Sequence, residues 1–379
     1  MSKYSFVEDA PAAPVGNVGR TRFMVFGVGG GGGNAVENMM RQGIGDVTFV
    51  VANTDVRALN ELNVPNKIQL LSVSNGLGAG GDPEVGRQAA ESDEEKIRAA
   101  LEGHDMVFIT AGMGGGTGTG ASPVVARIAK EVGLLTVAVV TTPFSFEGVL
   151  RSRAAKAGVE ELAQFVDAII TIPNQKLLQV YRQLSVPDAF KKADDVLLYA
   201  VSGLIQIVET TENVIIRTDF MDVRKAMTAR GHAMMGVGRA SGEDRARQAT
   251  EKAINSPLLD DICIENAKGL LVNIVAKDLI MQEPEEIAQT LGTIADLENG
   301  NIFYGFVLDD KMGDDILVTV IATGLTLDER PKVAQPTHSA AQSSPHATTE
   351  SAPKSPVRPI SVGKQQGALA YLNNQQTQS

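Results

Sequence analysis

The stretch from Met113 to Gly120, Met-Gly-Gly-Gly-Thr-Gly-Thr-Gly, constrains the fold more than any other part of the chain. It follows an apolar run at 105–111 that is typical of a buried strand, and it precedes Ser122 and Pro123, which are typical of a helix start. Glycines let backbone N–H groups approach an anion, and a helix N-terminus adds partial positive charge. The two threonines can add hydroxyl donors without adding charge. The sequence therefore predicts a nucleotide held by its phosphates.

A second glycine loop follows the first predicted strand, 21–27, and supports the same interpretation. Taken alone it is ambiguous, because Gly27, Gly29 and Gly32 also match the dinucleotide fingerprint G-x-G-x-x-G. Asp55 follows the next predicted strand, where a ribose-binding acid would be expected. An NAD-dependent oxidoreductase is therefore one alternative, and a tight turn without a ligand is another.

Composition narrows the classes of protein and site. The chain has 379 residues, of which 43% are hydrophobic, so it can bury a large core and is long enough for two domains. A net charge of −11 gives no global attraction to nucleic acid or to an anionic membrane. Cys263 is the only cysteine, and two of the four histidines lie in a low-complexity tail, so no Cys- or His-based metal site is expected. With no signal peptide and no run of about 18 apolar residues, we expect a cytoplasmic protein without direct membrane insertion.

Alternating apolar runs and helical patterns predict an α/β fold with a doubly wound, mostly parallel sheet in the first part of the chain. The strands predicted there are 22–27, 47–52, 105–111, 134–141 and 166–172. A helix that is apolar on nearly every face follows, and we expect it to be a central helix buried between two domains. A smaller α+β domain comes next, with helices predicted at 219–230, 243–254 and 285–297, strands at 270–276, 302–308 and 316–322, and a glycine-rich segment at 231–242.

We divide the chain into six segments on this basis. They are a flexible leader (1–20), a nucleotide-binding domain (21–187), the central helix (188–212), the second domain (213–328), a linker (329–360) and a terminal peptide (361–379). The linker is rich in Pro, Ser, Thr, Ala and Gln, a composition that predicts disorder.

The two glycine loops and several further blocks resemble the tubulin/FtsZ superfamily and, within it, the FtsZ family of division GTPases. The matching blocks, spread over some 300 residues, are 29–34, 53–55, 76–87, 114–120, 143–151, 171–174, 188–190 and 256–259. The resemblance implies a tubulin-like fold, GTP and GDP as ligands, and Mg²⁺ held mainly by phosphate oxygens and water. It also implies head-to-tail self-assembly into protofilaments of the division ring at midcell, with no nucleic acid partner.

The resemblance also assigns nucleotide-binding residues. Those in the glycine loops and at the end of the second strand are Gly29, Gly30, Gly31, Gly32, Gly33, Asn34, Asn53, Asp55, Ala79, Gly80, Gly114, Gly115, Gly116, Thr117, Gly118, Thr119 and Gly120. Those expected around the ribose and the base are Glu147, Arg151, Asn174, Phe190 and Asp195. A carboxylate suits guanine because it can accept from N1–H and N2–H₂ together. Without the resemblance, Glu147 and Arg151 are interpreted as an ordinary surface ion pair of the i, i+4 type, and Asp195 as a charge near a helix start.

Catalysis, by the same resemblance, is shared between subunits. Asp219 and Asp222 of one subunit would position the attacking water at the nucleotide of the next. Without the resemblance, the two carboxylates are interpreted as the N-cap and the first-turn acid of a helix, and the resemblance reverses that preference. Arg217 departs from the family, which usually has Asn there. We expect Arg217 to pair with Asp219 and slow turnover, so a nucleotide-dependent structural filament with weak or no hydrolysis is the alternative function.

The end of the chain carries a short apolar cluster, Leu369–Leu372. It resembles the family's docking peptide for membrane-adaptor division proteins in its apolar pattern. The usual proline, the following basic residues and the acidic lead-in are missing. Adaptor binding is therefore an open expectation, and a terminal segment without a partner is the alternative.

Overall fold

The computed structural model describes residues 20–71, 73, 75–181, 183–208, 214–216, 218–228, 231–259, 267, 269–292 and 301–325. All of them belong to one compact unit, Met1–Arg330. The predictions for the linker, for the terminal peptide and for all but the last residue of the leader lie outside the described residues. So do Arg217 and Cys263.

A sheet of eleven strands runs through the described part of the chain, in the order β3-β2-β1-β4-β5-β6-β8-β11-β9-β10-β7. The strands are β1 (Phe23–Val28), β2 (Val47–Asn53), β3 (Asn66–Gln69), β4 (Met106–Gly112), β5 (Leu135–Thr142), β6 (Ala168–Pro173), β7 (Val214–Ile216), β8 (Gly231–Ser241), β9 (Gly269–Ala276), β10 (Asn301–Leu308) and β11 (Asp315–Leu325). Strands β1 to β6 pair in parallel, and β6 continues in parallel with β8. Beyond β8 the sheet is mixed, since β11 pairs antiparallel with both β8 and β9.

Eleven α-helices connect and cover these strands in the described residues. They are α1 (Gly29–Gln42), α2 (Val56–Glu61), α3 (Pro83–Ser92), α4 (Glu94–Leu101), α5 (Gly116–Val132), α6 (Val149–Leu162), α7 (Asn174–Val180), α8 (Val186–Val208), α9 (Phe220–Met227), α10 (Arg245–Ile254) and α11 (Gln282–Gly292). Among the described residues, no helix is both long and apolar enough to cross a membrane.

The inner parallel strands β1, β4 and β5 are buried on both faces, as expected where helices cover both sides of a sheet. In β1, Phe23 and Val25 belong to one hydrophobic cluster, while Met24 and Phe26 belong to another on the opposite face. This alternation follows from the two-residue period of a strand. It confirms the doubly wound, mostly parallel sheet predicted from the sequence.

Helix α8 is the predicted central helix. It contacts α1, α7, β5 and β6 on one side and β9, β10 and β11 on the other. From Val196 to Val208 all but three of its residues are buried, which explains the apolar sequence on nearly every face. The predicted residues 209–212 lie outside the described residues.

Candidate functional site: a cleft at the carboxyl ends of the parallel strands

A cleft of about 370 Å³ opens where β1, β4, β5 and β6 end. Ligands of open parallel sheets bind at this edge, because the loops there leave a crevice between the strands and the helices that follow. The cleft is lined by Gly30, Gly31, Asn34, Gly112, Met113, Gly115, Gly116, Thr117, Gly118, Thr141, Pro143, Glu147, Arg151, Asn174, Phe190, Ala193, Asp194 and Leu197.

Two helix N-termini converge on one end of the cleft. Helix α1 begins at Gly29 and α5 begins at Gly116, so the first turn of each helix contributes glycines to the cleft wall. Neither helix has an acidic residue in its first turn, and neither has a side chain that caps its N-terminal N–H groups. Uncapped N–H donors and two helix dipoles of the same sign make this end of the cleft attractive to an anion.

The glycines of the two loops serve two different purposes. A Cβ on Gly29 would lie 2.8 Å from the backbone nitrogen of Gly118, and a Cβ on Gly118 would lie 2.6 Å from the carbonyl oxygen of Gly112. Gly29 allows the first loop to pack against the second, and Gly118 allows the second loop to pack against the end of β4. A Cβ on Gly30 or Gly115 would instead meet no atom within 4 Å, although both residues line the cleft. These two positions leave the room that phosphate oxygens would occupy.

The threonines of the second loop have separate roles. Thr117 lines the cleft, and its hydroxyl lies 2.6 Å from the hydroxyl of Thr54. The hydroxyl of Thr119 accepts a hydrogen bond of 2.7 Å from the backbone N–H of Gly114 and does not line the cleft. Thr119 therefore fixes the shape of the loop, whereas Thr117 is placed to meet a ligand.

The other end of the cleft offers an aromatic ring and an amide. Phe190 of α8 packs edge-on against the buried Phe144, with 5.2 Å between ring centroids, and is 40% exposed. Asn174, at the start of α7, is only 5% exposed, and its Oδ1 has no hydrogen-bond partner among the described residues. A buried acceptor without a partner costs free energy, so this oxygen indicates a donor supplied by a ligand.

Asp194 lines the cleft beside Phe190, while the next residue, Asp195, does not. The carboxylate of Asp195 accepts hydrogen bonds from Lys192 Nζ at 2.9 Å and from Asn38 Nδ2 at 3.4 Å. Burial and, to a smaller extent, the negative charge of Asp195 raise the pKa of Asp194 to about 7, although Arg41 partly opposes them.

Glu147 and Arg151 line the cleft as an ion pair, with 2.8 Å between Oε2 and Nη1. The other oxygen of Glu147 accepts from the backbone N–H of Phe144, which fixes the carboxylate in place. The Glu147 side chain is largely buried, whereas that of Arg151 is more than half exposed. The pair therefore presents an exposed cation, held by a buried carboxylate, at the rim of the cleft.

The polar residues after β2 are engaged locally. Asp55 is the N-cap of α2 and accepts from the N–H groups of Arg57 and Ala58. The side-chain oxygen of Asn53 accepts from the N–H of Asp55 at 3.2 Å. Neither lines the cleft, and neither does Ala79, which packs against Gly116.

Asp219 and Asp222 lie at the start of α9, away from the cleft, and both are exposed. Asp219 is the N-cap and accepts from the N–H of Met221 at 2.9 Å. Asp222 occupies the first turn, where its negative charge interacts favourably with the helix dipole. The local role expected from sequence is thus present, and both carboxylates are accessible to another molecule.

Eleven of the predicted site residues line the cleft: Gly30, Gly31, Asn34, Gly115, Gly116, Thr117, Gly118, Glu147, Arg151, Asn174 and Phe190. The predicted residues outside the lining are Gly29, Gly32, Gly33, Asn53, Asp55, Ala79, Gly80, Gly114, Thr119, Gly120, Asp195, Asp219 and Asp222. Asp194 and Leu197 also line the cleft but were not predicted. Their spacing could have revealed them, because they follow Phe190 by four and seven residues and therefore share its helix face. Met113 and Pro143 begin the stretch 113–120 and the block 143–151 but were not assigned as site residues, and Gly112, Thr141 and Ala193 carry no comparable signal in the sequence.

Comparisons with known proteins agree with this geometry. Residues 22–182 match the model of the Tubulin/FtsZ family, GTPase domain, and residues 231–326 match that of the FtsZ family, C-terminal domain. The chain is 51% identical to Cell division protein FtsZ of Buchnera aphidicola subsp. Schizaphis graminum, over 82% of this chain and 81% of the relative. It is 45% identical to that of Pseudomonas putida, over 97% of this chain and 89% of the relative. An empty FtsZ dimer from M. jannaschii superimposes with a TM-score of 0.77 at 39% identity, covering 82% of this chain and 90% of that one.

Proposed function

The chain belongs to the FtsZ family and is a tubulin-like GTPase that forms filaments for cell division, and we propose that its GTP site is completed by the next subunit of the filament. The observation that carries this proposal is the separation of two half-sites. The cleft offers phosphate and base contacts without an acid at the phosphate end, while Asp219 and Asp222 are exposed elsewhere on the same chain.

The phosphates would lie at the converging N-termini of α1 and α5. Backbone N–H groups near Gly30, Gly31, Gly115 and Gly116 would donate to phosphate oxygens, and the Thr117 hydroxyl would add a donor. The remaining predicted glycines would act through the packing of the loops. Positive helix dipoles favour the binding of GTP and also stabilise charge that develops on the phosphates during transfer.

Guanine would lie at the opposite end, stacked on Phe190 with its polar edge towards Asn174 and α8. Asn174 supplies an unpartnered acceptor, and the family resemblance assigns a base-reading role to Asp195. Arg151, fixed by Glu147, would reach the ribose and phosphate side. An NAD-dependent oxidoreductase has no support from this site, because Asp55 is used as a helix cap.

Mg²⁺ fits this site only as a companion of the nucleotide. No cluster of three or more His, Cys, Asp or Glu side chains able to hold a metal occurs among the described residues. Mg²⁺ keeps several waters and readily takes phosphate oxygens, so triphosphate oxygens and water would be its ligands. Asn53 and Asp55 would contact it through water, and it would neutralise phosphate charge when bound.

Hydrolysis requires a water aligned with the terminal phosphate. Asp219 and Asp222, the N-cap and a first-turn residue of α9, would hold that water from the neighbouring subunit. A head-to-tail contact of this kind does not close on itself, so it generates an open filament. GTP would then favour assembly, and hydrolysis at the contact would weaken it.

GTP turnover per subunit, measured with Mg²⁺ over a range of protein concentrations, tests the shared site. We expect almost no turnover at low concentration and a steep rise above a threshold, because each site needs a neighbour. The control is Asp219→Asn with Asp222→Asn, which keeps a helix cap and should bind GTP without hydrolysing it. Turnover per subunit that is independent of concentration would contradict the proposal, and bound GTP without turnover would favour the structural filament.

We propose that residues 21–187 bind GTP, that 188–212 form the central helix, and that 213–328 supply the activating acids. With this function, the protein would be located in the cytoplasm at the division site.

Membrane-adaptor division proteins would bind the terminal peptide, and deletion of 361–379 should abolish that binding while leaving GTP turnover unchanged.

A further inference from the structure

Met221 lies on the surface of the molecule, between the two acids at the start of α9. Its side chain is 62% exposed, although methionine is among the residues most often found in a core. Helix α9 buries the face that carries Val223 and Met227, and Met221 lies outside that face. Its backbone N–H donates to Asp219, which caps the helix. A molecule that the acids approach must therefore also meet the Met221 side chain.

A second exposed apolar surface, which we call the rim patch, lies beside the cleft. It consists of Phe146, Val149 and Leu150, whose side chains are 60%, 66% and 80% exposed. Their neighbours in sequence, Glu147 and Arg151, line the cleft. The Phe146 ring stacks on a buried phenylalanine ring, with 5.1 Å between ring centroids, so the patch is held in place from below. The rim patch therefore offers three apolar side chains next to the nucleotide cleft.

The charges around Met221 and around the rim patch have opposite signs. Two carboxylates flank Met221, whereas the exposed cations Arg151, Arg153 and Lys156 follow the rim patch on α6. Opposite charges favour the approach of the two surfaces and disfavour the contact of either surface with its own kind. The partner that fits the rim patch is therefore the start of α9 in a second copy of the chain. A head-to-tail contact that brings the acids to the cleft brings Met221 to its rim.

We infer that Met221 packs on the rim patch of the next subunit in the filament, and that its oxidation by a peroxide weakens this contact. The inference rests on the proposed function, which places Asp219 and Asp222 at the neighbouring cleft. The thioether sulfur forms a bond to one peroxide oxygen and the O–O bond breaks. The proton of the transferred oxygen moves to the other oxygen, which leaves as water, so the sulfur is oxidised and the peroxide is reduced. The sulfoxide is polar where the thioether was apolar, so the packing on the rim patch is lost.

Met281 provides an internal control for this oxidation. It is 91% exposed and immediately precedes α11, a different helix from the one that carries the acids. Every other methionine that the structure describes is buried or only partly exposed. A peroxide should therefore oxidise Met221 and Met281 in free subunits before it reaches the other described methionines.

The test treats unassembled full-length protein with hydrogen peroxide, removes the peroxide, and measures the concentration threshold for assembly with GTP and Mg²⁺ by sedimentation. The wild-type threshold should rise about tenfold, which is the size expected when a buried methionine loses its apolar packing. Met221→Leu forms no sulfoxide at this position, so its threshold should be the same before and after treatment. Met281→Leu should respond as the wild type does. Cys263 is present in all three proteins, so its oxidation does not distinguish them.

Two further measurements examine the contact from both sides. In filaments, mass spectrometry should show that Met221 is oxidised several-fold more slowly than in free subunits. On the partner surface, Leu150→Gln should raise the threshold of untreated protein. Peroxide should then raise it little further, because both changes act on one contact.

Three outcomes would overturn the inference. One is a peroxide response of Met221→Leu equal to that of the wild type. Another is an oxidation rate of Met221 that is the same in filaments and in free subunits. The third is a full peroxide response in Leu150→Gln. Failure of the proposed function would look different, because GTP turnover per subunit of untreated protein would then be independent of concentration.

Discussion

Asn174 shows how a single side chain can be costly in the free protein and useful in the complex. Its Oδ1 is buried and has no partner among the described residues. Leaving such a group unpaired costs about 1–3 kcal/mol, whereas an apolar group of the same shape avoids the cost. We predict that Asn174→Leu raises the free energy of unfolding of nucleotide-free protein by about 1 kcal/mol and weakens GDP binding. Urea denaturation and a GDP titration measure the two effects.

Thr171→Val is the matched control for Asn174. The Thr171 hydroxyl, on the same strand-to-helix segment, is also buried without a partner in the part of the chain that the structure describes, but Thr171 does not line the cleft. Thr171→Val should therefore stabilise the protein and leave GDP affinity unchanged. Equal loss of GDP affinity in both variants would show that Asn174 acts through the packing of this segment and not through the base.

Asp194 makes stability depend on pH with a defined sign. Burial raises the pKa of Asp194 in the folded protein from 3.8 to about 7, so the folded state binds more protons than the unfolded state between these values. The contribution of Asp194 to the free energy of unfolding is fully present below pH 4 and is lost as the pH rises to 7. The difference corresponds to at most about 4 kcal/mol. Asp194→Asn should therefore stabilise the nucleotide-free protein more at pH 8 than at pH 5 in urea denaturation, and equal effects at both pH values would contradict this.

At the residue scale, the sequence indicates the two glycine loops directly, but it does not indicate which acid of α8 lines the cleft. A glycine-rich loop between a strand and a helix, such as 114–120, indicates a phosphate site because such a loop has few other uses. Which of two adjacent acids faces the cleft depends on the rotation of α8 about its axis. The packing of α8 against α1 sets that rotation, and the sequence around Asp194 and Asp195 does not reveal it.

Helices α3 and α5 pack closely because glycines remove the side chains between them. A Cβ on Gly120 would overlap the carbonyl oxygen of Pro83 and would lie 2.7 Å from the backbone nitrogen of Arg87. Both are backbone atoms of the α3 segment, which cannot move aside as a side chain can. We predict that Gly120→Ala lowers the free energy of unfolding by about 3 kcal/mol, measured by urea denaturation.

Gly115→Ala is the contrasting variant at the start of the same helix. The added methyl group meets no atom within 4 Å, and Gly115 has a φ of −87°, which alanine adopts without strain. The free energy of unfolding should be unchanged or slightly increased. Because the methyl group projects from a residue that lines the cleft, GTP affinity should decrease. Unchanged GTP affinity would place the phosphates elsewhere.

The helices and strands predicted from sequence are those whose local hydrophobic pattern is enough to identify them. The five predicted strands of the parallel sheet and the central helix are confirmed, because each has a long apolar run between clear turn signals. β8 was not predicted, because its sequence is rich in glycine. In the structure, a Cβ on Gly236 or Gly238 would overlap carbonyl oxygens of α10, so glycine lets the helix lie close to the strand. The glycines of β8 are therefore explained by a tertiary contact, which the local sequence pattern does not reveal.

The whole molecule carries its two half-sites in separate places, so a filament should be able to combine halves from different subunits. One variant, Asp219→Asn with Asp222→Asn, keeps the cleft and loses the acids. The other, Gly115→Ala, keeps the acids and binds GTP weakly. Each alone should hydrolyse GTP slowly.

Mixing the two variants should restore turnover. In a random filament of equal parts, about a quarter of the junctions join an intact cleft to intact acids, because each head-to-tail junction takes one half-site from each neighbour. Turnover in the mixture should therefore exceed the sum of the separate rates. Co-sedimentation measures how much of each variant enters the filaments, and the excess turnover should increase with the amount of mixed filament. If co-sedimenting variants together hydrolyse GTP no faster than the sum of their separate rates, the acids act within their own subunit, and the filament would serve only to order the chains.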